Sequence, residues 1–375
     1  MFSKKKKKEK ELSAFEKKMN DFFIKNFTKI KAIDKVFFLE HLNTMLGAGL
    51  SLLESLDVLS KEIENKKLQS VVNSIKAGVE SGSQLSETLN EFPKVFQPIY
   101  VKMIASGELS GKLEESLGQV VNQMKKNYEL TSTIKGAMIY PIVILIAISA
   151  VGIVMVTFVL PKITVLFKDI DTELPLPTRV LVAVTDFLSQ PINMIIVLLS
   201  IASFLALYIY TLKKSINFKR FIHKININLP IAGKIIKQIN LARFSLTLSS
   251  LLKSTIPIVQ AVDISSEICS NLIYREALKE STEKIKKGIT LSQCLREYDA
   301  IFPPMVTEMI MVGEKTGEID KLLHELSKFY SNEVDKTMKN FSTIIEPAII
   351  LLLGLGVGGI AVAVVMPMYN LTQNF

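Results

Sequence analysis

The chain has 375 residues, of which 49% are hydrophobic, with a mean hydropathy of +0.33 and a formal net charge of +9. This length allows two or three domains, and the hydropathy is too high for an ordinary soluble protein, so membrane-spanning segments are expected. Most of the positive charge lies in residues 1–31, which carry eleven lysines against four acidic residues, and therefore says little about the folded part.

The basic tail comprises residues 1–35. Its run Lys4–Lys8 suits the anionic surface of a membrane, at roughly 1 kcal/mol per lysine, although a solvated, disordered tail is an equal alternative. Nucleic acid is not predicted as a partner, because the tail lacks arginine and its phenylalanines fit an amphipathic helix better than a base-stacking surface. No apolar run follows the lysines before residue 36, so we expect no cleavable signal peptide.

The sequence contains an internal duplication. A shift of 206 residues aligns it with itself without a gap over about a hundred positions. Each copy begins as a polar, helical region and ends in a long apolar run. The matching pairs include Phe38 with Phe244, Asp57 with Asp263, Gly82 with Gly288, Phe96 with Phe302, Pro141 with Pro347 and Pro161 with Pro367.

Three segments reach the length of about 20 apolar residues that crosses a bilayer: 139–160, 191–212 and 344–366. Lysine and arginine cluster before the first, after the second and before the third, so the positive-inside rule places the N-terminus and both large domains in the cytoplasm. The middle span has no counterpart in the duplication. It returns the chain to the cytoplasm, and the two copies are therefore parallel repeats, unlike the inverted repeats of many transporters.

Both polar regions read as helical bundles. Apolar residues recur at helical spacing, and the alternation typical of strands is nearly absent. We therefore predict an all-α integral membrane protein with two homologous cytoplasmic helical bundles and three transmembrane helices. The predicted order is the basic tail (1–35), a first bundle (36–138), a span (139–160), an extracytoplasmic loop (161–190), a second span (191–212), a second bundle (213–343), a third span (344–366) and an extracytoplasmic tail (367–375).

The turn Gly-Glu-x-x-Gly occurs in both copies. It comprises Gly107, Glu108 and Gly111 in the first copy and Gly313, Glu314 and Gly317 in the second. Two glycines allow a tight corner between helices, and the glutamate is expected near a helix N-terminus, where negative charge is favoured. A structural corner and an acidic docking site for a partner both explain the repetition, and the pattern alone leaves both open.

Two further features lie at the membrane. Tyr140-Pro141 and Glu346-Pro347 open the first and third spans at equivalent positions, where proline is expected to bend the helix. Glu346 is the only acidic residue of the three spans and is therefore a functional candidate, although a carboxylate reaching the headgroups is an equal alternative. Gly354 and Gly358 form a small-residue face that favours close helix packing.

The sequence offers no catalytic, cofactor or metal site, and we predict that the protein is not an enzyme. Gly111-Lys112 fails as a phosphate-binding loop, because the glycine spacing is wrong and Leu113 replaces the required Ser or Thr. The three histidines are scattered without ligand spacing. Cys269 and Cys294 match no metal or redox motif and are predicted to be buried thiols.

From residue 36 to about residue 370 the chain resembles the inner-membrane platform family shared by type II secretion (protein F), type IV pilus assembly and competence pseudopilus machines. The resemblance rests on the two Gly-Glu corners, the two membrane-entry prolines, the Leu174–Arg179 segment and Pro367. It implies a non-enzymatic protein of the bacterial inner membrane that couples a cytoplasmic hexameric ATPase to the assembly of pilins or pseudopilins. Some members of the family bind a metal between soluble domains, but no such site maps onto these residues.

The resemblance also implies other inner-membrane assembly proteins and membrane lipid as partners, and a homo-oligomer is expected. A membrane transporter subunit and a membrane-anchored docking adaptor are the alternatives from other classes. The sequence does not distinguish a pilus from a secretion or DNA-uptake machine.

Overall fold

The computed structural model describes residues 29–163 and 175–373, and within these ranges the regular secondary structure is entirely helical. The run Lys4–Lys8 and the part of the predicted loop between residues 164 and 174 lie outside the described residues. The first half of the described chain contains α1 (Ala32–Gly47), α2 (Leu52–Glu62), α3 (Lys66–Glu80), α4 (Leu85–Asn90), α5 (Pro98–Leu109) and α6 (Leu113–Val154), which a π-helical turn (Met155–Val159) continues.

The helices after the gap include a counterpart for each of the first six and three that join the copies. The joining helices are α7 (Leu176–Ser189), α8 (Pro191–Lys214) and α9 (Ile216–Asn228). The second copy contains α10 (Ala232–Lys253), α11 (Ile258–Ile268), α12 (Leu272–Lys286), α13 (Leu291–Arg296), α14 (Pro304–Thr316) and α15 (Ile319–Gln373).

The chain divides into two compact units. The first unit comprises residues up to Glu129, Arg243–Ile268 and Leu278–Leu326, and so contains bundle helices from both copies. Each copy contributes the same aromatic pair to its core. The ring centroids of Phe38 and Phe96 lie 6.0 Å apart, and those of Phe244 and Phe302 lie 5.5 Å apart. Burial of such rings and of the surrounding leucines supplies the main driving force for bundle formation.

The second unit comprises Leu130–Ala242, Cys269–Ala277 and Ser327–Phe375. It holds the apolar parts of three helices that are long and apolar enough to cross a membrane, within Leu113–Ile163, Pro191–Lys214 and Ile319–Met366. The fold is therefore an all-α integral membrane protein with a duplicated helical organisation. The buried thiols are also confirmed, because Cys269 and Cys294 form no disulfide and are fully buried.

Two predicted features of the spans differ in the structure. The predicted loop 161–190 contains α7, which contacts the π-helical turn and α8 and whose Thr178 hydroxyl donates a hydrogen bond to the carbonyl of Ala363 at 2.6 Å. The predicted tail 367–375 is helical as far as Gln373. The two prolines are typical of a connecting loop, but Pro175 is the N-cap of α7 and Pro177 lies in its first turn, where a helix tolerates proline.

The predicted boundaries between bundles and spans fall inside continuous helices. α6 has 42 residues and α15 has 55, which corresponds to about 63 and 83 Å at 1.5 Å per residue. Pro141 and Pro347 lie within these helices rather than at their ends. A proline removes one backbone hydrogen bond, and the long helix on either side of it retains its other bonds.

Candidate functional site

In the corner of the first copy, Glu108 links two helices, α5 and α4. This residue lies in the last turn of α5, and its carboxylate faces the start of α4. The backbone N–H of Leu85 donates to Oε1 at 2.6 Å, and that of Ser86 donates to Oε2 at 2.9 Å. The first amides of a helix lack partners within the helix, and a negative charge there is also attracted by the positive end of the helix dipole. Glu108 therefore caps α4 from a neighbouring helix.

The second copy repeats this contact with one addition. The N–H groups of Leu291 and Ser292, at the start of α13, donate to the two oxygens of Glu314 at 2.6 and 3.3 Å. The hydroxyl of Ser292 also donates to Oε2 of Glu314. Both glutamates are only partly exposed. The expectation that the glutamate lies near a helix N-terminus is confirmed, but that N-terminus belongs to a helix that begins 22 or 23 residues earlier in the chain.

The two glycines of each corner have different tasks. Gly111 and Gly317 adopt positive φ angles of 69° and 73°, which end α5 and α14 in the left-handed conformation. Gly107 and Gly313 lie inside those helices, where the next helix approaches closely. A Cβ on Gly313 would lie 2.7 Å from the Cα of Ile319, and one on Gly107 would overlap Ser116. The motif therefore builds a close corner, with one glycine for the approach and one for the turn.

This geometry accounts for the motif without a partner. The carboxylates are engaged by backbone amides, and both glycines are required by the path of the chain. Docking of a partner at Gly107, Glu108, Gly111, Gly313, Glu314 and Gly317 stays a prediction.

A polar seam within the first unit was not predicted. It is formed by Gln119 and Gln123 of α6 against Thr247, Ser250 and Ser254 of α10. The Gln123 amide donates to the Thr247 hydroxyl at 3.1 Å and accepts from the Ser250 hydroxyl at 2.8 Å, while the Ser254 hydroxyl donates to Gln119. Gln123 is 4% exposed, and such buried amides are stable only when hydrogen-bonded.

The seam also includes α5, because the hydroxyl of Ser106 donates to the carbonyl of Ser254 at 3.0 Å. Two glutamines one turn apart on α6 were the available sequence signal. Sequence alone did not identify their partners, since those lie more than a hundred residues away.

The second unit contains a smaller polar cluster where α9 meets the start of α12. Arg220 makes a salt bridge with Glu276 at 2.6 Å, and Nδ1 of His223 accepts a hydrogen bond from the N–H of Leu272 at 2.8 Å. Burial lowers the pKa of His223, and the nearby charges of Lys219 and Arg275 lower it further. The ring is thus held neutral, as required for Nδ1 to accept a hydrogen bond.

Of the four predicted membrane-entry residues on α6 and α15, three are exposed and Pro141 is buried. Tyr140 is 44% exposed, and Glu346 and Pro347 are also exposed. A Cβ built on Gly354 or Gly358 would meet nothing within 4 Å. The small-residue face is therefore open in the described part of the chain, and the packing and hinge roles stay predictions. Among the described residues, no group of three or more His, Cys, Asp or Glu side chains could hold a metal ion.

Comparison with known proteins finds a family whose sequence pattern matches both copies of the duplication. The family model for type II secretion system (T2SS) protein F matches the chain twice, over residues 38–161 and 244–367. The two matches are offset by the same 206 residues as the internal duplication, and they begin at the equivalent residues Phe38 and Phe244.

Several characterised relatives align over most of their length. A type IV pilus assembly protein PilC of Thermus thermophilus is 34% identical over 90% of this chain and 82% of its own length. A PilC of Pseudomonas aeruginosa is 31% identical over 92% and 91%, and a type II secretion system protein F of Aeromonas hydrophila is 30% identical over 88% and 84%. The predicted family is confirmed: the chain belongs to the type II secretion system protein F family.

Proposed function

We propose that this protein is the inner-membrane platform of a type IV pilus or type II secretion-like machine and couples a cytoplasmic ATPase to the assembly of pilins or pseudopilins. The observation that carries the proposal is the duplicated family domain, in which each copy joins a helical bundle to an apolar helix. Relatives named for pilus assembly and for type II secretion align with most of the chain.

The charge distribution supports a cytoplasmic location for both bundles. Lys213 and Lys214 end α8, and further lysines precede the apolar parts of α6 and α15. The positive-inside rule then places these ends on the cytoplasmic side, where an ATPase would be available. The continuous helices α6 and α15 give each bundle a direct covalent route to an apolar segment. We infer that movement imposed on a bundle is transmitted along these helices.

The function is tested by its partners. A tagged full-length protein would be crosslinked in native membranes, purified in mild detergent and analysed by mass spectrometry. Recovery of a secretion-type ATPase together with prepilin-like proteins would support the platform, and the type of pilin would name the machine. Recovery of a solute-binding protein instead would favour a transporter subunit, and recovery of a sensor kinase would favour a docking adaptor; either result would contradict the proposal.

Glu346 tests the membrane-entry hinge. We predict that Glu346→Gln impairs filament assembly while leaving membrane insertion normal, because it removes the only acidic charge of the three predicted spans. The measurement is the amount of assembled filament at matched protein level in the membrane, with Glu333→Gln on the same helix as the control. Full assembly by Glu346→Gln would contradict the functional role of Glu346 and favour the alternative, a carboxylate that only reaches the headgroups.

Gly354 and Gly358 test the packing face of α15. We predict that the double substitution Gly354→Leu and Gly358→Leu reduces filament assembly, because the added side chains keep a partner helix from approaching closely. Gly152→Leu in the apolar part of α6, where a Cβ also meets nothing within 4 Å, is the matched control. Normal assembly by a stably expressed double variant would contradict the role of Gly354 and Gly358 in helix packing.

A further inference from the structure

Within the described part of the chain, α5 and α6 of the first copy cover one face of α10 in the second copy, through Gln119, Gln123 and Ser106. The duplication supplies the same two surfaces a second time. The counterpart of the covered face of α10 lies on α1, and the counterpart of the covering face lies on α14 and α15.

Burial shows that the second pair of surfaces is open. On α10, Thr247 is 1% exposed and Ser250 is half-buried. Their counterparts on α1, His41 and Thr44, are both exposed, and so is Ala48, the counterpart of Ser254. We name Phe37, His41, Thr44 and Ala48 the α1 face.

The covering side shows the same contrast. Ser106 is half-buried against α10, whereas its counterpart Val312 on α14 is 47% exposed. Gln119 is likewise half-buried, and its counterpart Glu325 on α15 is exposed. We name Met309, Val312 and Glu325 the α14 face. Both faces belong to the first unit.

We propose that the α1 face of one copy of this chain binds the α14 face of a second copy, repeating between molecules the contact that α10 makes with α5 and α6 inside one molecule. Because the two copies of the bundle share their fold and aromatic core, a surface that fits the α10 position is already shaped to accept the α1 position. The contact is head-to-tail, so copies add until the ring closes.

The chemistry of the two faces favours association. The internal seam is made of amides and hydroxyls, whereas the open faces carry one apolar side chain at a seam position and a second one turn away from the seam positions. Phe37 is 52% exposed where Arg243 stands in the second copy, and Val312 replaces Ser106. A groove of about 640 Å³, partly lined by Phe37 and His41, opens beside the α1 face and leaves room for apolar side chains of a partner. Removing this apolar surface from water stabilises the contact.

The contact between Ser106 and Ser254 inside the chain indicates which two residues a crosslink between chains should join. Ser106 contacts Ser254, so Val312 of one copy should lie against Ala48 of the other. Two differently tagged copies of the full-length protein, one with Ala48→Cys and the other with Val312→Cys, would be co-expressed and treated with a short bismaleimide. The native Cys269 and Cys294 are fully buried and should not react.

We expect a covalent heterodimer carrying both tags. A copy with Ser74→Cys, exposed on α3, replaces Ala48→Cys as the control and should give none. A product formed between two Ala48→Cys copies, with none between Ala48→Cys and Val312→Cys, would show a two-fold contact and overturn the head-to-tail arrangement.

A second variant measures assembly without crosslinking. Val312→Arg places a charge on the α14 face and should reduce the mass of the detergent-purified protein to that of one chain, as measured by native mass spectrometry. Leu109→Arg is the control: Leu109 is 79% exposed on α5, and its counterpart in the second copy is already Lys315. Its mass should equal that of the unchanged protein.

Two results would overturn the proposal. One is an unchanged oligomer for Val312→Arg together with no heterodimer. The other is a protein that remains a single chain throughout but loses a cytoplasmic ATPase from its pull-down on Val312→Arg, because the α14 face would then belong to that partner. Since the readout is the mass of the purified protein, failure of this proposal leaves the proposed function untouched.

Discussion

The two copies of the bundle agree at their corners and differ on their surfaces. Glu108 and Glu314 cap equivalent helices with nearly the same geometry, and Gly107 and Gly313 occupy equivalent crowded positions. The first helices differ: α10 is covered along the face that α1 exposes. Duplication has therefore retained the contacts that close each bundle, while the surfaces have acquired different chemistry.

The difference separates residues that each bundle needs for its own fold from residues whose role depends on contact with the other bundle. A corner glycine or a capping carboxylate acts within one copy, so it has the same role in both. Seam residues act between copies, and their counterparts carry different side chains, such as Val312 in place of Ser106 and Glu325 in place of Gln119. Substitutions at paired positions in the two copies can therefore separate the two kinds of role.

The largest effect is expected at the crowded corner glycines. Gly313→Ala should destabilise the second bundle by about 1–3 kcal/mol, because the new Cβ meets the backbone of Ile319. Gly107→Ala should destabilise the first bundle similarly. The obstacle there is the Ser116 side chain, so adding Ser116→Gly should restore part of the loss.

The native thiol of Cys294 provides a local reporter. It is fully buried in α13, so its rate of labelling by a maleimide in the full-length protein should rise about tenfold to a hundredfold in Gly313→Ala. Thr88, its counterpart in the first copy, is 4% exposed and becomes the matching probe as Thr88→Cys. Gly118→Ala, where a Cβ would make ordinary contact, is the control. Equal rates in the Gly313→Ala variant and the control would refute the crowding argument.

A smaller effect is expected at the capping glutamates. Glu108→Gln should free the amides of Leu85 and Ser86, at a cost of about 1–2 kcal/mol, because charge-assisted bonds to the helix N-terminus are replaced by weaker ones. Hydrogen exchange of the start of α4 should accelerate in the full-length protein. Glu314→Gln should act on α13 in the same way.

The additional hydroxyl sharpens this comparison. Ser292→Ala removes the third bond to Glu314 and should make the start of α13 exchange faster, whereas Ser292→Thr should retain the protection. Unchanged exchange in both glutamate variants would mean that the carboxylates are dispensable for the corner. That outcome would leave docking as the explanation for their repetition.

The smallest effect concerns Asp57 and its counterpart Asp263. Asp57 accepts hydrogen bonds from Lys61 at 2.6 Å and Lys76 at 2.5 Å, and these two lysines lower its pKa to about 2. In the second copy the positions of both lysines are taken by Glu267 and Thr282. The two lysines that pair with Asp57 therefore have no lysine counterparts near Asp263 in the second copy.

A lowered pKa stabilises the folded state at any pH above the ordinary aspartate pKa of about 4, and the gain is lost as the pH falls towards 2. We expect Asp57→Asn to lower the thermal midpoint of the full-length protein in detergent slightly at pH 6 and to leave it unchanged near pH 2. Asp263→Asn should have no effect at either pH. A loss for Asp57→Asn that is equally large at pH 2 would exclude the ion pairs with Lys61 and Lys76 as its cause.

The corner illustrates how far sequence reasoning reached. The motif stands out because it recurs 206 residues later in the chain, from Gly107, Glu108 and Gly111 to their counterparts. The chemistry of glycine predicted a tight turn there. The pattern did not reveal that Gly107 lies inside a helix or that Glu108 caps a different helix. Both facts depend on how closely α5 approaches its neighbours, and no local periodicity carries that distance.

The sequence by itself determined the family, the helical class, the duplication and the three apolar spans, because each depends on composition, spacing or length read along the chain. Only the tertiary structure decided where the corner carboxylates point and which polar residues form the seam. It also decided which of the two equivalent helix faces, on α1 or on α10, is covered. Those features join residues far apart in the chain, such as Gln123 and Thr247, and their contacts follow from packing in three dimensions.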